Sequence, residues 1–99
     1  MTKILHLNLY RKYFDAIANG TKVFEYRNKT DYWKKRIEGK EYDMIKFRNG
    51  YAKDAPTMLV EHKGYGEVIR TGNGVGVEYE IKLGKIIEVN YNGKEWQWS

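Results

Sequence analysis

From Thr57 to Arg70 the chain would form one long extended run but for Gly64 and Gly66, which bracket Tyr65 in its middle. Glycine inside a strand marks a bulge or a barrel corner, where the missing side chain lets the backbone bend. The same pattern continues downstream. TGNG at Thr71–Gly74 reads as a turn, and Val77, Tyr79, Ile81 and Leu83 then alternate with polar residues. Gly84 bends the chain, Ile86–Tyr91 extends it, and Asn92-Gly93 turns into a last strand with Trp96 and Trp98 on one face. Pro56, the single proline, marks the start of this strand-rich half.

The first half mixes periods. Lys3–Leu9 sets Ile4, His6 and Asn8 against Leu5, Leu7 and Leu9, the period of a strand. Tyr10, Tyr13, Phe14 and Ile17 follow at i, i+3, i+4 and i+7, which predicts a helix over 10–19 with one apolar stripe. Gly20 stands where a left-handed residue closes a helix. Val23–Asn28 reads as a second strand. Asn28 and Thr30 offer N-caps to a short helical turn over 31–37, with Trp33 and Ile37 inward and Gly39 closing it. Tyr42–Arg48 is a third strand ending at the Asn49-Gly50 turn. The order predicts an α+β domain spanning 1–99, a small, strongly bent sheet or barrel with its one main helix packed against it.

Composition narrows the classes. Hydrophobic residues make up 41% of the chain and aromatic residues 15%, and charge is spread rather than blocked, as in a folded domain. The absence of cysteine excludes disulfides and thiolate metal sites. No apolar run approaches the roughly 20 residues of a membrane-spanning helix. The N-terminus MTKILHLN carries no apolar leader, so the expectation is a cytoplasmic protein without a membrane partner. With 18 Lys and Arg against 13 Asp and Glu, the net charge of +5 favours an anionic partner.

NGTKVFEYRN at Asn19–Asn28 concentrates that charge. Strict alternation puts Val23, Glu25 and Arg27 on one face of the strand and Phe24 and Tyr26 on the other, so the aromatic face is the one expected in the core. Two readings of the charged face stay open at this level. It is a solvated face with a surface ion pair worth roughly 0–1 kcal/mol, or it is the wall of a cleft.

The spacing Gly20-x-Lys22-x-x-Glu25-x-Arg27, placed directly after a helix, resembles the ASCH domain family, whose fold is related to PUA RNA-binding domains. The likeness starts at ILHLNL, runs through YFDAIANGTKVFEYR and continues more loosely to EYDMIKFRNG, with Asp43 in place; the second half matches only in its glycine-cornered strands. The resemblance implies a PUA-like β-barrel with a cleft lined by Lys22, Glu25 and Arg27 for RNA or a modified nucleotide. The residue types suit this. Arg27 offers a planar fork to phosphate or a base edge, Glu25 accepts from an exocyclic amine or braces Arg27, and Lys22 is a point cation for phosphate. Some family members resemble amidohydrolases of acylated cytidine, or ribonucleases. In such an enzyme Lys22 and Glu25 would be catalytic. Glu25, however, stands where the amidohydrolases carry a hydroxyl, and Glu67 and Glu78 are the nearest substitutes for their distant acid.

Further candidates surround this core. Tyr32, Trp33, Lys34, Lys35, Arg36 and Lys40 interleave aromatics with cations, as a surface for single-stranded bases would. Arg48, with Tyr51 and Lys53, extends it. Asn8 is a candidate for a base edge and Tyr65 for stacking. Gly72, Gly74 and Gly76 precede no helix and are turn residues, and His6 and His62 lack the pattern of a metal site. No cofactor is implied. An RNA- or nucleotide-binding module leads, a small hydrolase is the alternative, and a protein–protein adaptor is the third.

Overall fold

A computed structural model describes residues 2–70 and 76–91 as an α+β fold, a five-stranded mixed sheet with two helices. The chain runs β1 (Ile4–Asn8), α1 (Arg11–Ala18), β2 (Phe24–Asn28), α2 (Asp31–Ile37), β3 (Met44–Arg48), β4 (Thr57–Arg70) and β5 (Gly76–Asn90). The strand order is β1-β3-β4-β5-β2, with β1 parallel to β3 and every other pair antiparallel. The expected turn at Thr71–Gly74, the Asn92-Gly93 turn and the strand of Trp96 and Trp98 lie outside the described residues. Among the described residues no helix is long and apolar enough to cross a membrane.

The short helices form where their end signals stand. Tyr10 occupies the N-cap of α1 in an extended conformation, and Gly20 beyond its end takes φ +86°. The N–H groups of Thr21 and Lys22 both donate to the Ala16 carbonyl at 3.0 Å, which reverses the chain and delivers Lys22 to the start of β2. Thr30 caps α2, its hydroxyl accepting from the Trp33 N–H at 3.3 Å. Asp43 fastens the start of β1 by accepting the Lys3 N–H at 2.8 Å.

The core draws Leu5, Leu7 and Leu9 from the first strand, Phe14 and Ile17 from α1 and Ile37 from α2. Ile45 and Phe47 from β3 and Met58, Val60, Tyr79, Ile81 and Leu83 from the two long strands complete it. Two expectations are corrected here. Of the α1 stripe only Phe14 and Ile17 are buried; Tyr10 precedes the helical turn and is 79% exposed, and Tyr13 is 39% exposed. On β2 the charged face, not the aromatic one, points inward. Antiparallel pairing sets Glu25 opposite Ile81 and Arg27 opposite Tyr79, and directly opposite residues share a face. Phe24 and Tyr26 pair with Lys82 and Glu80 on the outer face, their rings 6.5 Å apart.

The glycine-marked run forms as one bent ribbon. β4 and β5 stay paired along their length, with register shifts between Leu59 and Tyr65. Gly64 takes φ +112° within the irregular stretch, and Gly84 lies under the Glu61 side chain, where an added Cβ would come within 3.1 Å of the Glu61 Cβ. One half of the ribbon pairs with β3 and the other with β2. Bending therefore curls the sheet, and among the described residues it remains open, with β1 and β2 as its edges.

Tyr79, fully buried, donates to a Glu38 carboxylate oxygen at 2.5 Å, joining β5 to the end of α2. Burial first, and then this carboxylate, push its phenol above the usual tyrosine range. A raised folded-state pKa gives stability that is complete below the unfolded value near 10 and is lost as pH climbs. Tyr79→Phe should lower stability at neutral pH by about 1–2 kcal/mol and flatten the loss above pH ~10, read from urea midpoints across that range. Gly64→Ala should cost about 1–3 kcal/mol for its backbone angle. Gly66→Ala, with no such angle and open space around it, should stay within about 0.5 kcal/mol in the same assay.

Candidate functional site

A cleft of about 660 Å³ opens where the start of α1, the charged strand β2, Trp33 of α2, the end of β1 and the Gly50–Tyr51 turn converge. Its floor is an ionic triad. Glu25 is only 6% exposed; one carboxylate oxygen lies 3.4 Å from Lys22 Nζ and the other 2.6 Å from Arg27 Nη2. The same Nη2 donates to the Asn8 carbonyl at 2.9 Å, spanning from β2 to β1. Packing the guanidinium against Trp33, 5.0 Å from the ring centroid, fixes its plane.

Both oxygens of Glu25 are thus engaged, and the groups left for a ligand are others. Arg27 Nε and Asn8 Oδ1 are buried without a hydrogen-bond partner, and both residues line the cleft. A buried polar atom without a partner costs about 1–3 kcal/mol, and both of these atoms belong to residues that line the cleft. The Asn8 amide can present either its oxygen or its nitrogen.

Aromatic rings make the walls. Lys22 Nζ sits 5.5 Å from the Tyr13 ring and 5.2 Å from the Tyr26 ring. Tyr26 is covered on its ring by the Arg70 guanidinium at 3.9 Å, and its hydroxyl donates to Glu80 at 3.2 Å. Burial and Glu80 hold its phenol above the ordinary range, so it remains a donor. Arg70 is held by Glu78 at 2.9 Å. Tyr10 and Tyr51 stand exposed on the rim, and the loop carrying Tyr51 is pinned by the Asn49 amide on the Leu9 carbonyl at 2.9 Å.

The structure therefore gathers Asn8, Lys22, Glu25, Arg27 and Trp33 from the sequence candidates. Tyr65 is not among the lining residues; its ring packs edge-on against Tyr79 at 5.9 Å. The remaining candidates of 32–40 do not line the cleft. Arg36 stacks at 3.5 Å on the Tyr32 ring and donates to its own helix, while Lys34, Lys35 and Lys40 are exposed. Arg48 does not line the cleft; its Nε and Nη2 donate to the carbonyls of Gly50 and Ala52. Glu78 reaches the cleft, whereas Glu67 pairs with Lys29 at 2.5 Å. Tyr51, expected to extend the basic surface, lines the cleft instead, and Tyr10, Tyr13, Tyr26 and Arg70 were missed by sequence reasoning; the available signal was the abundance of tyrosine, nine in 99 residues, beside a shortage of purely aliphatic stripe positions on α1. Among the described residues no group of three His, Asp or Glu side chains is placed to hold a metal.

The chain matches no protein-family model, and no curated protein or solved structure is significantly similar to it.

Glu25→Ala leaves Lys22 and Arg27 as neighbouring cations without their carboxylate. Because both retain some access to water, the expected cost is about 2–4 kcal/mol, toward the low end for breaking a buried pair, measured by urea unfolding.

Proposed function

We propose that the chain is an ASCH-like, PUA-related module that binds RNA or a nucleotide in this cleft. One observation carries the reading: Arg27 and Asn8, whose Nε and Oδ1 are buried without partners, both line a tyrosine-rimmed cleft of nucleotide-accepting size. A guanidinium N–H beside an amide matches the edge of a base, and the rim rings offer stacking that tolerates any base. The Gly20-x-Lys22-x-x-Glu25-x-Arg27 spacing supports the family likeness. On this reading the open sheet is a PUA-like barrel whose seam is made by the Arg27 side chain rather than by a strand ladder.

The second reading, a small hydrolase in the same cleft, draws on Glu78, which lines it together with Lys22. Such an enzyme would add water across the C–N bond of an N-acylated cytidine, releasing a carboxylate and the free amine, or would cleave RNA. A backbone-amide NMR titration with short single-stranded RNA and with nucleosides, acylated cytidine included, separates the readings when the ligand's own proton signals are followed. A binder gives shifts at Lys22, Glu25 and Arg27 without product, and an affinity that falls steeply with salt. A hydrolase gives product that disappears in Lys22→Ala. A protein–protein adaptor gives neither. For the binder, Tyr51→Ala removes an exposed rim ring and should weaken RNA binding by about 1–3 kcal/mol with the fold intact.

A further inference from the structure

We propose that a smaller basic groove on the outer face of the sheet holds the phosphodiester backbone of a single RNA strand whose base occupies the cleft. This rests on the nucleic-acid reading above and extends it from a nucleotide to a strand with a path. The groove, of about 180 Å³, is lined by His6, Leu7, Asn8, Lys46, Arg48 and Thr57. Asn8 lines both cavities, so the two adjoin at this residue.

Strand register builds the groove. Parallel pairing sets His6 beside Lys46 and Asn8 beside Arg48, and antiparallel pairing sets Arg48 beside Thr57. These positions alternate with Leu5, Leu7, Ile45 and Phe47, which are buried, so they share the outer face. The result is a block of cationic and hydrogen-bonding groups with no carboxylate in its lining. Among the described residues, neither the Lys46 nor the His6 side chain has a salt bridge or hydrogen bond. The acids on the same face are accounted for: Glu61 pairs with Lys63 at 3.2 Å, and Glu88 stands opposite Leu59, beyond it from Lys46.

An exposed sheet face ordinarily gains from opposite charges across strands and loses from like charges. Lys46 beside His6, two residues from Arg48, forgoes that gain, as a surface kept for an anion does. Arg48 is oriented by the Gly50 and Ala52 carbonyls, which hold its guanidinium in place and leave Nη1 without a described partner. That loop also carries Tyr51 to the rim of the cleft, so one residue connects the phosphate face to the stacking wall. Asn8, its amide oxygen buried and unpartnered, lines both cavities and lies between them.

The test compares a short single-stranded RNA with 5′-mononucleotides, by fluorescence anisotropy over a range of salt, on three proteins: wild type, Lys46→Glu, and Lys85→Glu as an exposed charge control away from both cavities. Lys46→Glu should weaken the RNA strand about tenfold beyond the control and reduce the salt slope by about 1, with mononucleotide binding unchanged. If mononucleotides bind but the strand binds no more tightly, or if Lys46→Glu behaves like Lys85→Glu, the groove is overturned and the cleft reading stands. If neither ligand binds the wild-type protein, the cleft reading falls and the groove with it.

Discussion

A single buried carboxylate, Glu25, organises the charged end of this fold. Lys22, just before β2, and Arg27, on it, flank the carboxylate, and without it they would be two cations confined beside each other. Taking a carboxylate out of water is expensive unless its lone pairs are matched, and here each oxygen has its own cation. The consequence reaches beyond the pair. Because Glu25 orients the guanidinium, Arg27 Nη2 can also bond the Asn8 carbonyl, which lies on the opposite edge of the curled sheet. Among the described residues β1 and β2 share no backbone ladder, so this side chain is both the floor of the cleft and the tie between the edges.

That dual role explains why the cleft sits where it does. A sheet whose ribbon bends at Gly64 and Gly84 brings its edges toward each other without closing. The space left between them is lined by whatever the edge strands point inward. Leucines fill the lower part from β1, while β2 contributes an acid and a base. Trp33 and Tyr13 come from the two helices that the β1-to-β3 crossover carries, and they cover the polar floor with rings.

Much of the fold was legible because it rests on period and punctuation. Both helices, the three early strands and the glycine bend in β4 follow from apolar spacing and from Gly20, Gly39 and Gly64. The facing of β2 was not legible. Alternation shows that two faces differ, and only the register opposite Ile81 and Tyr79 decides which one turns inward; an aromatic face is the natural first assignment for a core. The same dependence on long-range pairing hid the parallel β1–β3 contact and the arrival of Arg70 and Glu78 beside Lys22. Tyr10 shows the limit of a helical stripe, since a position before the first helical residue keeps the spacing but not the direction. The triad itself was found from a short motif, and Asn8 from its place on the first strand.

The charge arrangement differs between the two cavities. In the cleft, Lys22, Arg27 and Arg70 meet Glu25 and Glu78, leaving a lining excess of only one positive charge. Most of that charge is already paired internally, so the cleft offers directional hydrogen bonds and ring faces more than it offers attraction for phosphate. On the outer face the balance is reversed, with basic side chains and no paired carboxylate in the groove. Long-range attraction and base selection place opposite demands on a site: the first wants unneutralised charge near water, the second wants fixed donors in a sheltered pocket. On the proposed nucleic-acid reading, a sheet one layer thick, with Glu25 and Arg27 of β2 turned inward and Lys46 and Arg48 of β3 turned outward, would meet both demands on its opposite faces.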